Sequence, residues 1–301
     1  MLTALAPIFL IILFGHVLKA RFFPEDHCWS FVERSTYYIF LPALLLSNLS
    51  QTHLDQITAL PMLGTLLLTI AIIAALFYLI KPWTKFTGPE FSSVFQSGLR
   101  FNSYVGLAGA SALWGEQGLA LAAVALMGMI PMVNLLAVPT VAGYARSSRS
   151  SLGTIGLEVL KNPLILACLA GFGLSQLPIA LPQAIFHFFE LLGRAALPLG
   201  LLAVGAALRL KSLNAYIKAI TLSSLIKLLL SPSLTALLCY QFAVTDPALT
   251  VAVLFAALPT APSAYILARQ LGGDHELMAA TITAQTLMAA LTLPGVLFLL
   301  T

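Results

Sequence analysis

Long apolar runs separated by short polar breaks fill the chain from end to end. A bilayer core of roughly 30 Å takes about 20 apolar residues in a helix, and charges, proline and glycine mark where such helices stop. On that rule the pattern predicts ten spans, at 2–18, 31–50, 57–80, 90–113, 117–143, 162–179, 183–208, 216–241, 247–268 and 277–300. The first, MLTALAPIFLIILFGHVL, has no Lys or Arg before Lys19, so it reads as a retained spanning helix rather than a secretory signal. Composition agrees: 59% of the 301 residues are apolar and 9% are charged, against about 45–50% and 25% in a soluble domain. Fifteen Lys+Arg and 11 Asp+Glu cannot cover a soluble surface of this size. A cytosolic enzyme is therefore excluded, and a net charge of +4 is too thinly spread to be a nucleic-acid footprint. The fold class expected is an all-α polytopic membrane protein.

The cations sort by loop. Lys19 and Arg21, Lys81 and Lys85, Arg146 with Arg149 and Lys161, Arg209 with Lys211 and Lys218, and Arg269 fall in alternate loops. The intervening loops (51–56, 115–116, 178–182 and 244–246) carry none. The positive-inside rule then places both termini outside, periplasmic if the membrane is a bacterial inner membrane. Cys28, Cys168 and Cys239 form no CxxC pair and read as small apolar side chains.

The two halves also answer each other. Pro7, Gly15 and Pro42 recur as Pro163, Gly171 and Pro198 at an offset of 156 residues. Gly115-Glu116 recurs as Gly273-Asp274 at 158. Each half, 1–148 and 152–301, holds five spans, and an odd number inserts the second copy upside down. Inverted repeats of this kind are a transporter architecture with the binding site near the midplane.

One span in each half is broken. The fourth reads SGLRFNSYVGLAG and the ninth AALPTAPSAYILA, with Asn102 opposite Thr260 and Phe101 opposite Pro259. Pro259 and Pro262 each remove a backbone donor and disfavour helix just before them. Asn102, Ser103 and Gly106 are poor helix formers. Unwound backbone at mid-depth is tolerated only where it is buried or lines a cavity, and the half-helix N-termini beyond such breaks favour an anion.

The strings YIFLPALLLSNL, RFNSYVGLAGASALWGEQGLALAAVALMGMIPMVN, KNPLILACLAGFGL, ALPLGLLAVGAAL and LPTAPSAYILARQLGGDHELMAATITAQTL make the chain resemble, over essentially its whole length, the auxin efflux carrier family of bacterial permeases. The resemblance implies a crossed-helix fold shared with bile-acid and sodium/proton carriers. Helices 1, 2, 6 and 7 would form a scaffold and homodimer domain. Helices 3–5 and 8–10 would form a transport domain in which helices 4 and 9 cross. The substrates it implies are organic anions, auxin in plants and malonate, malate or related carboxylates in bacteria. Plant members have prolines at both crossings; Arg100-Phe101-Asn102-Ser103 stands here instead, so auxin chemistry does not transfer.

Four cations lie inside spans, where each costs about 2.5–3.5 kcal/mol at the centre on insertion scales. Arg34, beside Glu33, reads as snorkelling to the inner interface, and Arg194 as paired with Glu190 four residues earlier. Arg100 and Lys227 have no acid within four positions, and no span has a carboxylate at mid-depth. Either the substrate's carboxylate or freed backbone carbonyls must face them. The candidate substrate-binding residues are Arg100, Asn102, Ser103 and Tyr104 at the first break and Pro259, Thr260, Pro262 and Ser263 at the second, together with Lys227 and Gln285. Asn48, Asn134 and Thr286 read as interhelical hydrogen bonders, and His16 as structural. The absence of an acidic pair argues against a sodium/proton exchanger; coupling to Na⁺ through neutral oxygens, or to H⁺, stays open. No metal site or cofactor is expected. HExxH and GxSxG are absent, which argues against an intramembrane enzyme. The expected function is a secondary carrier of a small organic anion working by alternating access, the alternative a carrier of a neutral or sodium-coupled amphiphile.

Overall fold

The computed structural model describes residues 2–51, 59–144, 157, 161–176 and 182–300, with the side chains of 2, 211, 212 and 214 left aside. Arg146, Arg149, Glu158, the boundary between the halves at 148–152, and most of the loops expected at 51–56 and 178–182 lie outside the described residues.

Every element among the described residues is helical. In chain order these are α1 (Leu2–Arg21), α2 (Asp26–Ser35), α3 (Leu41–Gln51), α4 (Ala59–Thr84), α5 (Gly88–Leu99), α6 (Ser103–Tyr144), α7 (Pro163–Gln176), α8 (Gln183–Arg194), α9 (Ala196–Ala206), α10 (Ile217–Leu225), α11 (Ser231–Gln241), α12 (Ala248–Ala256), α13 (Ser263–Leu271) and α14 (His275–Leu300). Among the described residues, six stretches are long and apolar enough to cross a membrane: Thr3–Arg21, Ala59–Thr84, Gly88–Tyr144, Gln183–Ala206, Ile217–Gln241 and His275–Leu300. Lipid offers no hydrogen bonds, so helices that satisfy their own backbone are what such sequences form. Large apolar side chains such as Leu10, Phe14, Leu60, Leu79, Leu291 and Phe298 are correspondingly exposed on the outer faces. The chain is a polytopic integral membrane protein.

Breaks in these helices follow from particular residues. Gly88–Tyr144, at 57 residues, would be about 85 Å long if straight, nearly three bilayer cores. It is interrupted at 100–102, and again at Trp114 and Gly115, where Gly115 takes φ 55° and ψ −136°. A side chain at that φ would be strained, which is why glycine sits at the corner. Thr87 and Glu90 start α5 with a capping box, each side chain accepting from the other's backbone N–H. Two single turns of π-helix, Thr36–Phe40 and Ile226–Leu230, join α2 to α3 and α10 to α11. Each lies just before a proline, Pro42 or Pro232. A helical proline lacks its N–H and crowds the carbonyl four residues back, and the wider turn relieves both faults.

Packing gathers α1 against α9, and α3 against α7 and α8. Glycines let these backbones touch: a Cβ on Gly205 would lie 1.8 Å from the carbonyl oxygen of Ile12, and one on Gly15 2.3 Å from that of Leu202. Close approach through small residues is how helices associate where lipid removes the hydrophobic drive between them. α4, α5, α6 and α11–α14 pack on one another around fully buried Phe77, Phe91, Phe95 and Phe255. At one end of that group the Lys81 ammonium sits 3.7 Å from the Tyr144 ring centre and 5.3 Å from that of Phe91, a cation–π arrangement.

A candidate substrate site where two helix breaks meet

α5 ends at Leu99 because Arg100 turns extended (φ −66°, ψ 149°). Asn102 then starts α6, its side-chain oxygen accepting from the N–H groups of Tyr104 (3.1 Å) and Val105 (3.4 Å). Asparagine is among the best residues for that capping role. α12 ends at Ala256, and the chain stays non-helical until Ser263 opens α13 after Pro262. The two breaks meet, as the Asn102 N–H donates to the Pro259 carbonyl at 2.8 Å.

A second set of bonds locks this crossing. The Thr260 N–H donates to Gln285 Oε1 at 3.0 Å. Thr260 Oγ1 lies 2.6 Å from the Ser97 carbonyl and 2.7 Å from Gln285 Oε1, so its single proton serves one acceptor at a time. Asn102, Thr260 and Gln285 are all 0% exposed. They satisfy the backbone that unwinding frees, which a lipid-buried break requires. The structure therefore brings Asn102, Pro259, Thr260 and Gln285 together behind the site, as its frame.

Beside this frame lie two cavities, of about 310 Å³ and about 170 Å³. The smaller is lined by Arg100 and Ser103 from the first break, Ala261 and Ser263 from the second, Asn134 of α6, and Tyr37 and Asn162. Ser103 and Ser263 are the first residues of α6 and α13, so the positive dipole ends of two helices border one space, although the next N–H groups are taken, those of Tyr104 and Val105 by Asn102 Oδ1 and those of Ala264 and Tyr265 by the Ala261 and Pro262 carbonyls. Arg100 Nη2 donates to Asn134 Oδ1 at 2.9 Å, which fixes the guanidinium at the wall. Asn162 Nδ2 donates to the Tyr37 hydroxyl at 3.0 Å, while its oxygen accepts from Leu164 N–H at the start of α7. A guanidinium and two positive dipole ends give this space the chemistry of an anion site.

Two expected site residues are placed elsewhere. Tyr104 points at α9, where a Cβ on Gly200 would lie 2.2 Å from its ring. Lys227 is 2% exposed and faces a separate space of about 10 Å³ with Thr69, Ser231, Gly98, Leu99 and Ala256, behind the crossing. Gly98, Leu99 and Ala256 close α5 and α12. Lys227 thus meets the negative ends of the same two half-helices whose partners turn positive ends toward Arg100. Sequence reasoning missed Tyr37 and Asn162. Asn162 carried a usable signal, an asparagine directly before Pro163 at a helix start; Tyr37 did not.

The larger space is lined by Lys19 and Arg209, by Pro262, Tyr265 and Arg269, and by Asp26 and Glu33. Lys19 Nζ and Asp26 Oδ1 are 2.6 Å apart, and that hydrogen bond holds the Asp26 carboxyl below its ordinary range. Arg209 stacks 4.9 Å from the Tyr265 ring centre. Among the described residues no three His, Cys, Asp or Glu gather as a metal site would need.

A polar cavity where two helix breaks meet, inside an all-helical membrane fold, suits a transport protein, and comparison with known proteins agrees. Residues 133–297 match the model of the family described as "Membrane transport protein". The chain belongs to that family, the auxin efflux carriers. It is 26% identical to a Rhizobium meliloti (strain 1021) protein described as "Putative malonate transporter", over 98% of this chain and 94% of that one. It is 24% identical to an "Uncharacterized transporter" of Methanothermobacter thermautotrophicus, over 95% of this chain and 94% of that one.

Proposed function

We propose that this protein is a secondary carrier for a small organic anion, a short carboxylate of the malonate or malate kind. The observation that carries this reading is the 170 Å³ cavity, where Arg100 and the N-termini of α6 and α13 face one space. A water needs about 10–15 Å³ of such volume, so the cavity of about 170 Å³ has room for a small organic anion. The kinship with a protein described as a malonate transporter points the same way.

In this reading the chain forms ten spans in two inverted halves, 1–148 and 152–301, with both termini on the periplasmic side of a bacterial inner membrane. α1–α3 and α7–α9 act as the scaffold, which also carries a homodimer contact. α4–α6 and α10–α14 move against it as the transport domain. The larger space, bordered by Lys19, Arg209 and Arg269, is then the cytoplasmic vestibule of an inward-facing state. Movement of the crossing past the scaffold would close it and open the other side, with no covalent step. Lys227 sets the potential behind the crossing and does not touch the substrate.

A carrier of a neutral, sodium-coupled amphiphile is the second reading. It is favoured by the convergence of three oxygens, from Ser97, Thr260 and Gln285, at the crossing. Uptake into proteoliposomes of labelled malonate, malate, lactate and an indole acid, with sodium and proton gradients varied separately, decides between them. The first reading expects saturable uptake of the short carboxylates without sodium. Sodium-dependent uptake blocked by neutral amphiphiles and indifferent to carboxylates would replace it with the second.

A further inference from the structure

We infer that Glu33 is the proton-binding group of the transport cycle, the carboxyl that must be neutral for an anion to pass between vestibule and crossing cavity. This rests on the anion-carrier reading above. Glu33 of α2 lines the vestibule, and Tyr37, in the π-turn that follows α2, lines the crossing cavity. Pro262 borders the first space, and its neighbours Ala261 and Ser263 border the second. In the proposed route, an anion moving from one to the other passes Glu33.

No described cation around it forms an ion pair with it. From α1, Lys19 is held by Asp26 of α2. Arg209, after α9, stacks on Tyr265 of α13. Arg269 of α13 borders the same space but makes no ion pair with Glu33 among the described residues. Tyr104 of α6 lies within electrostatic reach of the carboxyl, and Tyr37 beyond it bonds Asn162. The walls given by α9 and α14 are alanines and Ile282, with no titratable side chain. No described residue donates a hydrogen bond to the Glu33 carboxylate, though the residue is part-buried.

An ionised carboxylate in that position opposes an anion approaching Arg100. Binding one proton turns it into a neutral acid and removes the obstacle; returning the proton on the other side restores it. Proton and anion then move together. An acidic residue lining a membrane route without a fixed partner is suited to that role.

The test uses proteoliposomes with a trapped pH dye. Wild type should exchange malonate in counterflow, accumulate it under an inward proton gradient, and acidify the lumen as it does so. Glu33→Gln, nearly isosteric and always neutral, should keep counterflow within about twofold while gradient-driven accumulation and acidification fall at least about tenfold. Absence of wild-type counterflow would remove the anion-carrier reading itself and this inference with it. Wild-type counterflow that ignores the proton gradient would overturn the role of Glu33 alone, as would undiminished accumulation by Glu33→Gln. Loss of both activities in a variant that elutes and melts as wild type would also overturn it, making Glu33 a general transport residue. Should Glu33→Gln fail to fold, Glu33→Asp decides: accumulation with a displaced pH dependence supports the role, and accumulation unchanged in size and pH dependence contradicts it.

Discussion

Two basic side chains near helix breaks have opposite surroundings, and that difference carries the functional reading. Arg100 meets helix N-termini and an open polar space, whereas Lys227 meets helix C-termini and almost no space. Their sequence contexts look alike, each a cation in an apolar run without a neighbouring acid. Only the fold separates them. Thr260 shows the same point for an uncharged residue. Its hydroxyl and N–H both bind Gln285, with the Ser97 carbonyl beside them. Thr260→Val should cost about 1–3 kcal/mol, the usual consequence of leaving buried polar atoms unpaired, visible as a lower melting temperature in detergent. A Thr260→Val protein melting as wild type would show that the lock is not needed. At the vestibule, the carboxyl of Asp26 is held below its ordinary range by Lys19. A lowered folded value stabilises the protein above the unfolded carboxylate range, and that stability is lost as pH falls through the folded value. The pair is exposed, so the effect is small. A difference in melting temperature between wild type and Lys19→Met at neutral pH should close on acidification.

At the level of elements, apolar run length located several helices well. The spans expected at 57–80, 216–241 and 277–300 correspond to α4, to α10 with α11, and to α14. Pro259 and Pro262 marked the break between α12 and α13, and Asn102 the start of α6, because each acts through local backbone chemistry that a short stretch of sequence displays. The π-turns were not legible: Pro42 and Pro232 announce a distortion but not which relief the helix adopts, and that choice decides where Tyr37 and Lys227 point. The helix that leads into the stretch expected at 31–50 starts at Asp26; Asp26, His27 and Glu33 broke the apolar run, so its first turns were not legible as helix. Helix contact depends on the glycines. Gly205→Val would drive side-chain atoms into the α1 backbone near Ile12. Overpacking of that kind typically costs about 1–3 kcal/mol, and an unyielding backbone partner puts it at the upper end. Thermal unfolding should show the loss, while Gly173→Ala, with nothing within 4 Å of the added Cβ, should not.

For the whole molecule, the structure joins a glycine-welded group of helices, α1 with α9 and α3 with α7 and α8, to a second group holding the crossing. The cavities lie where the groups face each other: Tyr37 and Asn162 come from the first, Arg100, Asn134 and Ser263 from the second. A site divided in this way changes when one group moves against the other, which is what alternating access requires. In the proposed carrier, Arg100 is the residue that meets the anion. The most direct measurement is counterflow of labelled malonate in proteoliposomes with wild type, Arg100→Ala and Arg100→Lys. A charge-assisted hydrogen bond contributes about 1.5–3 kcal/mol, so Arg100→Ala should lower exchange by roughly 10- to 100-fold. Arg100→Lys should recover only part, since an ammonium cannot reproduce the bidentate fork. Malonate exchange by Arg100→Ala at the wild-type rate would contradict the assignment of this cavity as the anion site.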